Sequence, residues 1–303
     1  MMNLTDPNTG NKATDRFLEA NNIQLHYIHH KGLEPPLILM PGLTANAHSF
    51  DAILNAGMRR AVLAVDLRGR GLSDKPAHGY SMEDHAADII GMLDRLGIES
   101  TVIGGHSFGG LLSIYLASHY PHRVEKIIII DAEARMHPDT AGMARFALSR
   151  LGTQWLSFSD YLEEIKSAPY LKDKWLPEME PYYRAGVVKK TDDGSYTTNS
   201  SPEHIIEAFQ GAIGAGIDWL EHSGRVTQPA ILINAVENFS NDAPILPQVL
   251  AMETVDRLEA CQYIAVPGNH LTMLYGEGAR EIAKAIDAFS AKPTQSAATP
   301  LNS

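Results

Sequence analysis

The sequence predicts an α/β fold, a mostly parallel sheet with helices on both faces, interrupted by one insertion. Two observations carry the sheet: short β-branched runs alternate with helical stretches along most of the chain, and the runs are aliphatic residue after residue, as strands covered on both faces require. A third carries the insertion, because residues 135–225 break the alternation.

In chain order, residues 16–20 and 23–28 flank Asn21-Asn22 and read as a hairpin. Residues 37–40 form a buried-strand run stopped by Pro41-Gly42, and residues 61–65 form another stopped at Asp66. Over residues 81–96, Met82, Ala86, Ile89, Ile90, Leu93 and Leu96 recur at helical spacing. Ser81 with Asp84 three positions on supplies the N-cap, and Gly97 supplies the stop. Residues 101–103 and then 111–118 repeat strand followed by helix, and residues 127–130 are four consecutive isoleucines. Strand runs at 230–233 and 263–266 and a helix over 277–289 complete the pattern. The interval 135–225 has helix-like stretches at 160–166 and 202–213 and no aliphatic run, so it reads as a mobile helical cap. It holds 11 of the chain's 22 aromatic residues between Phe146 and Trp219. These serve either the cap's own core or the roof of an apolar pocket, and Trp155, Phe158 and Trp175 are the candidates for touching a substrate. Residues 1–14 and 291–303 are polar, with breakers such as Asp6-Pro7, and read as disordered ends. The core is then 15–134 plus 226–290.

The chain of 303 residues is long enough to bury a core without disulfides or a structural metal. Its 25 Lys and Arg against 36 Asp and Glu give a net charge of −11, which argues against nucleic acid or an anionic membrane surface as partner. One cysteine, Cys261, excludes an internal disulfide and a Cys-rich metal site and fits a reducing compartment. The first 20 residues lack an apolar leader, and no run is long enough to span a bilayer, so a cytoplasmic protein is expected.

The segment Gly104-Gly105-His106-Ser107-Phe108-Gly109-Gly110 contains G-x-S-x-G between a strand and a helix. On that sharp turn a serine is lifted above the sheet at the helix N-terminus, and glycines avoid the clashes side chains would cause. A serine hydroxyl needs a base at neutral pH. Of 13 histidines, His270 follows the last strand and Pro267-Gly268-Asn269, at the carboxyl edge where Ser107 also emerges. His106 is expected to point away and serve packing, and His29-His30 lacks metal-ligand spacing. The sequence has no G-x-G-x-x-G after a strand, no P-loop lysine and no H-E-x-x-H, so neither a cofactor nor a metal is expected.

With these motifs the chain resembles the α/β-hydrolase family over nearly all of residues 15–290. Met40-Pro41-Gly42-Leu43-Thr44 looks like the family's oxyanion loop, and Asp66-Leu67-Arg68-Gly69-Arg70-Gly71-Leu72-Ser73-Asp74 like its D-x-R-G-x-G-x-S loop. Gly268-Asn269-His270 looks like its closing histidine motif. The resemblance implies an oxyanion hole from the backbone N–H groups of Leu43 and Phe108, where losing one donor typically costs about 2.7–4 kcal/mol of barrier. Asp66 and Arg68 read as groups that order their loop. Asn238 stands where many members carry the acid, and an amide supplies no charge to the histidine. Asp131, directly after the isoleucine run and 24 residues beyond Ser107, is the preferred acid, with Glu133, Glu237 and Asp242 as rivals in the same Ser…Asp/Glu…His order.

Serine at position 107 argues against the dehalogenase and epoxide-hydrolase branches, which use aspartate there. The expectation is a hydrolase of a carboxylic ester, lactone or related acyl bond in a small, partly apolar substrate. A carbon–carbon bond hydrolase of a ring-cleavage diketone or an amide hydrolase is the alternative, followed by a cofactor-free perhydrolase and a non-catalytic ligand receptor.

Overall fold

The four isoleucines at the centre of the chain show how the sheet is covered. Ile127 and Ile129 face one side and pack with α-helical residues there, while Ile128 and Ile130 pack on the other. Strict alternation with both sides apolar is what a central strand with two helical layers requires. The computed structural model describes residues 13–132, 142, 148–213, 218–239 and 243–291.

The strands are β1 (Ala13–Ala20), β2 (Ile23–His30), β3 (Leu33–Met40), β4 (Arg60–Val65), β5 (Thr101–His106), β6 (Val124–Ile130), β10 (Ala230–Ala235) and β11 (Cys261–Val266). They form one eight-stranded sheet in the order β1-β2-β4-β3-β5-β6-β10-β11. β1 and β2 are the antiparallel hairpin, β2 is also antiparallel to β4, and every other pairing is parallel. Helices α2 (Met82–Leu96), α3 (Phe108–His119), α7 (Trp219–Gly224) and α8 (Gln248–Arg257) lie on one face, and α1 (Asp51–Asn55) and α9 (Gly276–Ala291) on the other. α2 begins with a full capping box, Ser81 and Asp84 each satisfying the other's backbone N–H, and ends at left-handed Gly97.

Ala13 and Thr14 already belong to β1, so the paired chain starts two residues before the expected core; residues 1–12 and 292–303 lie outside the described residues. The insertion is not purely helical. Besides α4 (Phe158–Lys166), α5 (Glu180–Ala185) and α6 (Pro202–Ile213), it contains β7 (Gln154–Trp155), β8 (Val187–Lys189) and β9 (Tyr196–Thr198) in an antiparallel sheet ordered β7-β9-β8. Strands of two or three residues show no period to read, and the turn at Thr191-Asp192-Asp193-Gly194 is their only sequence mark.

Two loops above the sheet are tied down by buried charges. Asp66 accepts N–H groups from Ala47 (2.7 Å) and Leu72 (2.9 Å) and faces the His26 ring. Arg68 pairs with both oxygens of Asp88, each residue almost fully buried. Both therefore order their loops, as their sequence context suggests.

Candidate active site

Ser107 sits between β5 and α3 with φ +53°, the strained geometry that pushes its side chain away from the chain axis. The flanking glycines make the turn possible. A Cβ on Gly109 would lie 2.0 Å from the Met40 carbonyl oxygen, and one on Gly105 would lie 2.4 Å from the Gly109 backbone. The Ser107 N–H donates to the Ile130 carbonyl (2.9 Å), and the Ser107 carbonyl accepts the first turn of α3 from Gly110 and Leu111. The turn is thus fastened to β6, whose next residue is Asp131.

Asp131 is also left-handed (φ +50°) and 1% exposed. Its N–H donates to the Ile233 carbonyl (2.7 Å). Its Oδ1 accepts the Ala235 N–H (2.8 Å) and the Asn234 amide (3.0 Å), and its Oδ2 lies 2.7 Å from His270 Nδ1. A carboxylate there holds the Nδ1–H tautomer and leaves Nε2 free to accept a proton. Asn234 is fixed in turn by the Tyr263 hydroxyl and by the carbonyls of Ala235 and Leu246.

His270 lies in the turn after β11. Its neighbour Asn269, fully buried, uses its side-chain oxygen to accept the N–H groups of Leu271 and Thr272. The Asn269 amide donates to the Tyr170 carbonyl of the insertion (2.8 Å), and the Asn46 amide likewise reaches the Tyr182 carbonyl (3.1 Å). His106 does not point away. Its Nε2–H donates to the His270 carbonyl (2.7 Å), its ring lies 4.5 Å from the His270 ring, and burial pushes its pKa well down, so it is a neutral donor. The end of β5 places the His106 side chain beside the β11 loop, a neighbour 164 residues away in the chain.

Ser107, His270 and Asp131 line one cavity. Leu43 and Phe108 line it too, and their backbone N–H groups have no protein acceptor among the described residues. The walls come from the insertion and nearby loops: Tyr170, Tyr182, Tyr183, Phe209 and Phe239, with Arg150 the one Lys or Arg of the lining among the described residues. Arg150 donates to the Tyr170 hydroxyl (2.9 Å).

Trp155, Phe158 and Trp175 are not in the lining. Trp155 is buried within the insertion with its indole N–H on Glu164 (2.7 Å), because a buried indole must find an acceptor. Phe158 packs under the Arg184 guanidinium, and Trp175 stacks behind Tyr183, one layer from the cavity. Of the rival acids, Glu237 pairs with Lys174, which holds its carboxyl below the usual range, and accepts the Gly268 N–H instead of facing His270 Nδ1. Asn238 is exposed, and Glu133 and Asp242 lie outside the described residues. No signal in the sequence singles out Arg150, Tyr170, Tyr182, Tyr183 or Phe209. Among the described residues, no three His, Cys, Asp or Glu side chains come together as a metal site, and no helix is long and apolar enough to cross a membrane.

A family model for the alpha/beta hydrolase fold matches residues 35–174. The 2-(acetamidomethylene)succinate hydrolase of Mesorhizobium japonicum is 35% identical over 229 residues, 73% of this chain and 78% of that protein. The 2-hydroxy-6-oxo-2,4-heptadienoate hydrolase of Pseudomonas putida is 33% identical over 128 residues, 40% of this chain and 46% of that one. Among solved structures, that of E-2-(acetamidomethylene)succinate hydrolase superposes with a TM-score of 0.76 at 23% identity, covering 91% of this chain and 98% of its own. The enol-lactonase of Burkholderia xenovorans superposes with a TM-score of 0.66 at 20% identity, covering 91% and 100%. These superpositions are likenesses of fold.

Proposed function

The chain belongs to the α/β-hydrolase fold family and is a hydrolase, and from that premise we propose that it is a serine hydrolase acting on a small, carboxylate-bearing substrate. The observation that carries the reading is the Asp131–His270 contact at 2.7 Å, made by a nearly inaccessible carboxylate in the cavity that Ser107 enters. Ser107 Oγ attacks the substrate carbonyl carbon while its proton passes to His270 Nε2. The carbonyl π electrons move to oxygen, where the N–H groups of Leu43 and Phe108 receive them. Collapse expels the leaving group, which takes the proton from His270 and leaves an acyl-enzyme. Water then repeats the sequence and frees Ser107. Asp131 keeps the imidazole tautomer and balances the transient imidazolium. The described residues 148–213 of the expected cap interval 135–225 act as a cap over this centre, while the helix at Trp219–Gly224 packs with α3 on the sheet.

Arg150 supports the carboxylate. It is the one guanidinium in the described lining, and a cation beside tyrosine, phenylalanine and aliphatic side chains attracts an anionic substrate group. The relatives at 35% and 33% identity are named for a succinate and a heptadienoate, both carboxylates. A second reading within this chemistry is carbon–carbon bond cleavage of a 2-hydroxy-6-oxo acid, favoured by the Pseudomonas putida relative; the same serine, base and oxyanion donors would serve it.

Two measurements test the proposal. A fluorophosphonate probe should label Ser107 and fail to label Ser107→Ala; equal labelling of both would remove the nucleophile. In a panel of esters, lactones, enamides and vinylogous diketones offered as free acids and as methyl esters, the acids should be preferred. Arg150→Met should raise KM for the acids at least tenfold and leave the methyl esters unchanged. Equal loss on both would remove the anion-binding role.

A further inference from the structure

Among the described residues Arg70 is the largest side chain without exposure to solvent, and no carboxylate of theirs reaches it. Arg68, two residues earlier, takes both oxygens of Asp88, so Arg70 is left with neutral partners. Its Nε–H donates to the Leu43 carbonyl (2.9 Å), and its Nη1 donates to the Arg68 carbonyl (2.7 Å) and faces His85 Nε2 at 3.3 Å. Its Nη2 has no hydrogen-bond partner among the described residues. Burial pushes its pKa down to about 9, so it stays charged at neutral pH; burial and the two arginines push His85 far enough down to keep it neutral. The pair therefore carries one uncompensated positive charge inside the protein, an arrangement that is costly unless something uses it.

The charge sits beside the two residues of the proposed oxyanion hole. The guanidinium holds the carbonyl of Leu43 and lies over the ring of Phe108, 5.4 Å from its centre, and His85 meets the same ring edge-on at 5.1 Å. The two N–H donors belong to different loops, one after β3 and one at the start of α3, and Arg70, from a third loop, touches both.

We infer that Arg70 is a positioning residue for the oxyanion hole: it fixes the Leu43 loop so that its N–H faces the nucleophile, and its charge favours a negative oxygen bound between Leu43 and Phe108. The inference rests on the serine-nucleophile reading above. It adds no covalent step, since the charge acts through the two backbone donors in a site where screening by water is weak.

The test uses the full chain and measures the second-order rate of phosphonylation at Ser107 by a fluorophosphonate in wild type, Arg70→Lys and Arg70→Met. Thermal melting and kcat and KM on p-nitrophenyl acetate are measured alongside. The phosphoryl oxygen of the probe enters the oxyanion hole, so this rate reads the hole without knowledge of the natural substrate. Arg70→Met should react ten- to a hundredfold more slowly than wild type, kcat should fall in parallel, and KM should stay within twofold. Arg70→Lys should recover at least half of the lost rate on a logarithmic scale. Wild-type phosphonylation in a folded Arg70→Met protein, or a change in KM alone, would overturn the inference while leaving the serine reading intact. Absence of labelling in wild type removes both. If Arg70→Met does not fold, Arg70→Gln, which keeps a donor but no charge, carries the same expectations. Arg70→Lys reacting no faster than the neutral variant would overturn the role of the charge.

Discussion

Replacing Asp131 by asparagine should lower turnover by about 10⁴, equivalent to about 5.4 kcal/mol of barrier, and the surrounding hydrogen bonds say why. Oδ1 of Asp131 receives two donors, the Ala235 N–H and the Asn234 amide. An asparagine must present its oxygen to them, because the reverse orientation sets its NH₂ against both and forfeits two buried hydrogen bonds, at about 1–3 kcal/mol each. Its NH₂ then faces His270 Nδ1, which becomes an acceptor, and the ring proton moves to Nε2, where it blocks transfer from Ser107. The charge that would balance an imidazolium is lost as well. Folding should be preserved, since asparagine tolerates the φ of +50° at this position. The assay is phosphonylation at Ser107 together with p-nitrophenyl acetate hydrolysis, with melting as the control. Activity of Asp131→Asn within tenfold of wild type would refute this reasoning, as would a comparable loss in Glu237→Gln, whose carboxylate is occupied by Lys174.

Three further outcomes are expected. Trp155→Phe and Trp175→Leu should lower the melting temperature and leave the ranking of p-nitrophenyl ester chain lengths unchanged, whereas Phe209→Ala and Phe239→Ala should alter that ranking. Asp88→Asn strips the buried Arg68 of its counter-ion and should cost about 3–5 kcal/mol in urea unfolding. Stability should fall as pH drops below about 6.5. Burial holds His30 down to about 4 and His85 and His106 well down in the folded state, so the unfolded chain binds more protons in that window and is favoured there. For His30 alone this amounts to about 3 kcal/mol between pH 6.5 and 4. Urea midpoints across that range, compared with His30→Gln, check it; parallel curves for the two proteins would contradict it.

The sheet was legible because its strands are aliphatic on both faces and end abruptly, at Pro41, Asp66 and Asp131. Those endings also tell which loops share an edge, which is why the sequence places Ser107, Asp131 and His270 together. The cavity wall was not legible. Tyr170, Tyr182 and Phe209 reach it through the tertiary folding of the insertion, and nothing in their local sequence separates them from Trp155 or Trp175. What separates them is tertiary placement: Trp155 packs on Glu164 and Trp175 on Tyr183 away from the lining, whereas Tyr170, Tyr182 and Phe209 line the cavity. His106 illustrates the same gap, since its neighbour in space is the far loop of His270.

The carboxamides of Asn269 and Asn46 fasten the insertion at two points, one beside the base and one beside the oxyanion loop. The Asn199 amide on the Gly71 carbonyl, Glu207 on the N–H groups of Gly79 and Tyr80, Lys174 on Glu237 and Glu178 on the Gly276 N–H add further ties, so lifting the insertion away would break all of them together. A bulky compound that needs this separation to enter should be discriminated in association kinetics rather than in affinity. The bulkier class should show slow, strongly temperature-dependent onset of inhibition, and shortening either asparagine to alanine should speed that onset.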